Sequence, residues 1–308
     1  MTNHGRAFEI EHCHGKTHVF KEMDMSQLGK DDENYSKAEI GNKFISSSGD
    51  MATDSTTIVT YSVQIYYTKE FADSTPDINT FTDSLISITN QGYNNSKVPL
   101  RIKKHCTEQV SIADGQSSAV TLNALQRLKP TLKEVRNSAD VAVLYVKTFN
   151  SQYSCGRARL FAVDSGHSNY GQTISVVAKS CSTSYFSFGH EIGHNVGLYH
   201  DKSTHVNPTY SYGHGFHILK GRSARGYRTI MAYSKRGHET RVNYYSNPSV
   251  IHPTTGTPTG ASGVADNARL LTMQRFKLAN MGDESNTCGS VNSKLIMVKL
   301  FCNLSALL

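Results

Sequence analysis

The 308-residue chain has no tryptophan, only seven prolines, and no apolar run long enough to span a membrane. A transmembrane helix needs about 20 consecutive apolar residues. The most apolar segment, KLIMVKLFCNLSALL at Lys294 to Leu308, is shorter and carries Lys299. No transmembrane segment is therefore expected. The N-terminal stretch MTNHGRAFEIEHCHG lacks the apolar centre of a secretory signal, so none is expected within this chain. No internal repeat and no calcium-binding loop can be read, and calcium binding has no assigned residues. The net charge of +7 is spread along the chain. Its short basic clusters are Lys103, Lys104 and His105, and Lys220, Arg222 and Arg225. They have no interleaved aromatic residues on which bases could stack, so they read as solvated surface and nucleic acid is not an expected partner. Oligomeric state leaves no trace in the sequence.

The length allows one large domain with extensions or two modest ones. Six cysteines suggest an oxidising compartment. Cys155 and Cys181 bracket a strand-rich stretch and could close a modest loop, while Cys106 and Cys288 could tie the early domain to its end. The N-x-Ser sequons at Asn34, Asn94 and Asn303 matter only in a secreted chain. Residues 46–57, SSSGDMATDSTT, form a linker with little to bury. Beyond it, strands and helices alternate. Val59–Thr68 reads as a strand, and Asp77 caps a helix with Ile78, Phe81, Leu85 and Ile88 at helical spacing. VPLRIKKHC reads as a strand, and residues 121–136 as a helix that Pro130 kinks. Ala139–Phe149 reads as a central strand, followed by the strand TISVVAK. Residues 266–281 read as an amphipathic helix with Leu270, Met273 and Leu278 inward. This rhythm argues for an α/β layered domain.

The chemistry lies in FSFGHEIGHNVGLYHD, residues 186–201. His190 and His194 fall one helical turn apart on one face, so both imidazoles can bind one cation. Glu191 is rotated about 100° from His190 and can reach a metal-activated water without occupying a ligand position. On an unbroken helix His200 would be rotated roughly 240° from His194 and point away. The helix must therefore stop, and Gly197 permits the left-handed turn that brings His200 back. Three imidazoles leave a zinc ion one open position, as in a catalytic site. A structural zinc would normally take four protein ligands.

HExxHxxGxxH followed by a Met-turn resembles the metzincin zinc metallopeptidases, and within them the reprolysin (adamalysin)-like group. Asp201 directly follows the third histidine, as in that group, and RTIMAYS places Met231 where the Met-turn lies. The resemblance spans residues 57–282, with strong motifs only from 186 to 250. It implies an α/β metzincin-like domain with a twisted mixed sheet, an antiparallel edge strand and long helices, one of them zinc-binding. A smaller C-terminal subdomain would follow, with an upper part over about 58–200 and a lower part over 201–282. TISVVAK would lie near the edge strand that pairs with substrate, and Tyr244–Val250 would wall the main specificity pocket. Met231 would floor the metal, and Asp201 would support the site through hydrogen bonds. Tyr233 stands where astacin- and serralysin-like enzymes carry an oxyanion-stabilising tyrosine, a residue that reprolysin-like enzymes generally lack. Packing is its other reading. His205, His214, His217, His238 and His252 read as surface residues.

The implied activity is zinc-dependent hydrolysis of peptide bonds in protein or peptide substrates, with Glu191 as base. A zinc-retaining binding module without proteolysis is the alternative. Residues 1–50 resemble the end of a prodomain plus linker, with Cys13 as the candidate latency thiol on the zinc. Residues 51–283 would be the catalytic domain, and 284–308 a tail of undefined status. The resemblance and the cysteines together imply a secreted zymogen. Substrate preference and biological role are not legible.

Overall fold

A computed structural model of the chain describes residues 56–283, apart from 152–153, 161–171, 184, 205–207, 219–225 and 235–238, together with three strands nearer the N-terminus. These strands, β1 (Thr2–Asn3), β2 (Arg6–His12) and β3 (His18–Met23), form an antiparallel sheet in which Ala7 pairs with Met23 and His12 with His18. Cys13, Cys288, Cys302 and nearly all of the expected linker and tail lie outside the described residues. So do Lys220, Arg222, Arg225, His205 and His238.

The main sheet contains β4 (Val59–Tyr67), β5 (Leu100–Gln109), β6 (Val141–Val146), β7 (Gly156–Ala158) and β8 (Ile174–Ala178), in the order β5-β4-β6-β8-β7. The first four strands in that order are parallel, and β7 pairs antiparallel with β8 at the edge. The domain is thus mixed α/β with a mixed sheet. The helices among the described residues are α1 (Lys69–Asp73), α2 (Ile78–Asn95), α3 (Ser118–Gln126), α4 (Leu132–Val135), α5 (Lys179–Ser182), α6 (Ser187–Asn195) and α7 (Asn267–Leu278).

Parallel strands covered on both faces read as unbroken apolar runs, and β6 is buried at every position. Its side chains alternate between two cores, as a period of two requires. Val141, Val143 and Tyr145 join Leu85 and Tyr93 of α2 and Phe188 and Ile192 of α6. Ala142, Leu144 and Val146 join Leu122 and Leu125 of α3 on the other face. At about 25 cal/mol per Å² of apolar surface, these two interiors dominate stability. Asp77 caps α2 by accepting from the Thr80 amide at 3.0 Å.

Two expectations need correction. The helix expected over 121–136 is two helices. Pro130 cannot continue an α-helix, and after it Thr131 and Glu134 form a reciprocal cap: the Thr131 amide donates to Glu134 at 2.9 Å and the Glu134 amide to Thr131 Oγ1 at 3.2 Å. TISVVAK contains β8, which is buried at every position and lies beside the short edge strand β7, near the edge as expected. Finally, Met273 is 41% exposed, whereas Leu270 and Leu278 are buried. The buried face of α7 also takes Leu271 and Gln274, which leaves Met273 roughly 140° from its centre.

The edge is tied down covalently. Cys155, just ahead of β7, is disulfide-bonded to Cys181 in α5, with Cα atoms 5.4 Å apart. Cys106 is also disulfide-bonded, and its partner lies outside the described residues, as does the expected Cys288. No described helix is long and apolar enough to cross a membrane. Three short strands, β9 (His217–Ile218), β10 (Tyr227–Arg228) and β11 (Thr240–Arg241), form a separate small sheet in the order β11-β10-β9.

Candidate metal centre

Helix α6 packs against β8 and β7 and is entered at Phe186, in the left-handed region at φ 57. Every residue of α6 is buried, including His190, Glu191 and His194. A burial of that kind needs polar partners. The helix ends in a Schellman motif: the Leu198 amide donates to Gly193 O at 2.9 Å and the Gly197 amide to His194 O at 3.0 Å. Gly197 sits at φ +96, where a side chain would be strained. The reversal also delivers the Leu198 carbonyl to His194 Nδ1 at 2.8 Å.

The turn brings His190, His194 and His200 together, all buried, as a cluster that could hold a metal ion. Their Nε2 atoms are 3.0 Å apart for His190–His194 and His194–His200, and 3.2 Å apart for His190–His200. Two ligand nitrogens about 2.05 Å from a tetrahedral ion would be roughly 3.3 Å apart. Tautomer state supports the fit. His190 Nδ1 donates to Ile230 O at 2.8 Å, and His194 Nδ1 donates to Leu198 O. The neutral rings of His190 and His194 then face each other with bare Nε2 lone pairs, which repel unless a cation lies between them. Burial pushes His190 well below the ordinary histidine pKa, and His194 and the guanidinium groups of Arg241 and Arg228 push it further, opposed by the Ile230 bond. A neutral imidazole, the form that can ligate a metal, follows.

Glu191 is 1% exposed and lies against β7. A Cβ built on Gly156 would fall 2.6 Å from Glu191 Oε1, so any side chain at 156 would displace the carboxylate. Met231 is fully buried under α6, where a Cβ on Gly193 would meet its Sδ at 2.7 Å. The Tyr233 ring lies against His200, with centroids 3.8 Å apart.

Asp201 gathers a network that local spacing did not reveal. It accepts from the Tyr233 amide at 3.2 Å, Thr204 Oγ1 at 2.8 Å and the Ser203 amide at 3.2 Å, as well as from the Ser203 hydroxyl. His217 Nε2 lies 3.5 Å from Asp201 Oδ1, and its Nδ1 lies 3.1 Å from Glu239 Oε1. The surface reading of the downstream histidines is corrected here. His214 and His252 are buried, and His214 Nδ1 donates to the His200 carbonyl at 2.8 Å. His217 is half-buried in the network. No motif announces these partners, because each belongs to a different strand or loop. Cys13 lies outside the described residues.

The chain matches the family model of metallo-peptidase family M12 over residues 56–246. It is 33% identical over 205 residues to the peptidyl-Asp metalloendopeptidase of Stenotrophomonas maltophilia, covering 63% of this chain and 46% of that protein. Its identity to the protein of the same name from Xanthomonas campestris pv. campestris is 33% over 208 residues, covering 63% and 45%. The chain spans about half the length of these curated relatives. A solved structure described as a chaperone–substrate complex superposes with a TM-score of 0.57 at 18% identity, covering 73% of this chain and 36% of that one, a likeness of fold. The M12 match takes in all five strands of the main sheet, the buried histidine triad and the Met231 turn, more than half of the sequence, and on that extent the chain belongs to metallo-peptidase family M12.

Proposed function

We propose that the chain is a zinc-dependent endopeptidase in which His190, His194 and His200 hold the ion and Glu191 is the catalytic base. The observation that carries this reading is the inward convergence of the three Nε2 atoms, with the Nδ1 protons of His190 and His194 engaged by carbonyls. When bound, zinc supplies Lewis acidity, polarising the scissile carbonyl and making a water nucleophilic near neutral pH. Glu191 takes that water's proton and returns it to the departing amine. Its buried setting against Gly156 holds the carboxylate in one place. β7, the outermost strand of the described sheet, would pair with an extended substrate backbone. Met231 floors the site, Gly197 turns the chain and Asp201 supports the third ligand.

In this reading residues 51–283 form the catalytic unit, divided at about residue 200 into an upper part and a smaller C-terminal subdomain. Residues 1–50 are the end of a prodomain plus linker, with Cys13 the candidate latency thiol. The disulfides suit an extracellular setting. The names of the curated relatives suggest that this chain, too, prefers aspartyl residues.

The test is cleavage of a mixed peptide library by the zinc-loaded chain, before and after removal of residues 1–50. Internal cleavage that stops with a chelator and returns with Zn²⁺ is expected. Metal binding without cleavage in either form would leave the binding module instead.

Tyr233 gives a finer prediction. Its ring packs on His200, and phenylalanine keeps that packing. Tyr233→Phe is expected to retain zinc and to hold turnover within about threefold of wild type. A loss beyond about tenfold would assign its hydroxyl to the oxyanion.

A further inference from the structure

Two buried arginines lie beside the metal centre and have no part in the mechanism above. Arg228 on β10 and Arg241 on β11 are direct partners across a parallel strand pair. Both are buried, with 2% and 3% of their surface exposed. Their guanidinium carbons sit 5.1 Å and 4.5 Å from the centre of one ring, that of Tyr185. Arg228 Nη2 donates to the Tyr185 hydroxyl at 2.7 Å, and Arg241 Nη1 donates to the Tyr185 carbonyl at 2.9 Å. Arg228 Nη1 also donates to the carbonyl of Ala232, next to Met231.

These contacts fix where the charge points. Tyr185 stands immediately ahead of α6, and the Met231 turn carries the Ile230 carbonyl that orients His190. Tyr185, the ring that gathers the two cations, is itself only half-buried. Arginine is always charged and presents its donors in a rigid fork that matches a carboxylate. Two such forks at one ring, with their side chains already ordered, are the kind of arrangement from which carboxylate-binding sites are built.

We propose that Arg228 and Arg241, gathered by Tyr185, form the subsite that receives the acidic side chain of the residue flanking the scissile bond. The inference rests on the endopeptidase reading and deepens it, naming the residues that would impose an aspartyl preference. An amide analogue of the same shape would leave the guanidinium donors poorly matched, and polar sites of this kind discriminate strongly.

The experiment compares zinc-loaded wild type with Arg228→Gln, Arg241→Gln and the corresponding lysine variants. Substrates are peptides identical except for Asp, Glu, Asn or Ala at the position beside the cleaved bond. Wild type is expected to favour Asp over Asn by about 100-fold or more in kcat/KM. Each glutamine variant is expected to bring that ratio within about tenfold of one, and each lysine variant to keep an intermediate preference. A purely structural role would lower both peptides alike and leave the ratio in place, which would overturn the proposal. If the glutamine variants do not fold, the lysine variants and the wild-type series decide. Equal cleavage of Asp and Asn peptides by wild type overturns the subsite and leaves the peptidase standing. Absence of cleavage of every peptide by the zinc-loaded chain defeats the peptidase reading itself.

Discussion

Replacing Glu191 with glutamine is expected to lower peptide cleavage by about 10³- to 10⁴-fold while leaving zinc bound and the fold intact. The magnitude is that of a positioned general acid–base group. Glutamine has the same shape as glutamate, so it fits the space in which Gly156 leaves room for the side chain and adds no clash. What it loses is the ability to accept a proton from water and pass it to the amine. The fall should therefore appear in kcat with little change in KM, because ground-state contacts to substrate are unaffected. Zinc content by atomic absorption and the thermal midpoint should match wild type, since the three histidines and their carbonyl partners are untouched. Turnover within tenfold of wild type would show that another group serves as base.

Much of this site could be read before any fold was known, because its geometry is local. His190 and His194 lie one turn apart on one helix that Gly197 ends, and spacing alone dictates which side chains share a face. The need for a reversal before His200 followed from the helical period, and the Schellman motif at Gly197 is its physical form. What stayed hidden depends on partners distant in sequence. The carbonyl of Ile230 orients His190, and the carbonyl of His200 holds His214, yet a backbone carbonyl leaves no mark in a sequence. Gly156 reads as an ordinary glycine until β7 is laid against Glu191. The edge strand itself is three residues long, too short to show a pattern, whereas β8 is conspicuous because both its faces are buried. Thr131 and Glu134 offered a capping signal that would have divided the 121–136 helix correctly.

Asp201→Ala should be the most destabilising change outside the ligands and the base. The carboxylate is 2% exposed, accepts from the Tyr233 and Ser203 amides and the Thr204 and Ser203 hydroxyls, and lies 3.5 Å from His217 Nε2. Burial alone would raise its pKa, but the bonds from His217, Ser203 and Thr204 outweigh burial and hold it well below the usual carboxylate range. Alanine removes the acceptor and leaves buried donors behind, which costs more than the bonds themselves contribute. About 3 kcal/mol is expected, or roughly 6–12 °C in thermal midpoint for a domain of this size. Because the folded-state pKa is depressed, this contribution is fully present above about pH 5. It is lost only as the pH falls toward the folded value, so the deficit of the variant should narrow in strong acid. The loss should also reach the metal. Asp201 fixes the backbone directly after His200 and ties it to the segment that carries Tyr233. Removing such a support typically weakens metal affinity 10- to 100-fold. Competition with a chromogenic chelator measures that shift, and a variant with wild-type zinc affinity and an unchanged melting point would show that the network is incidental to the site.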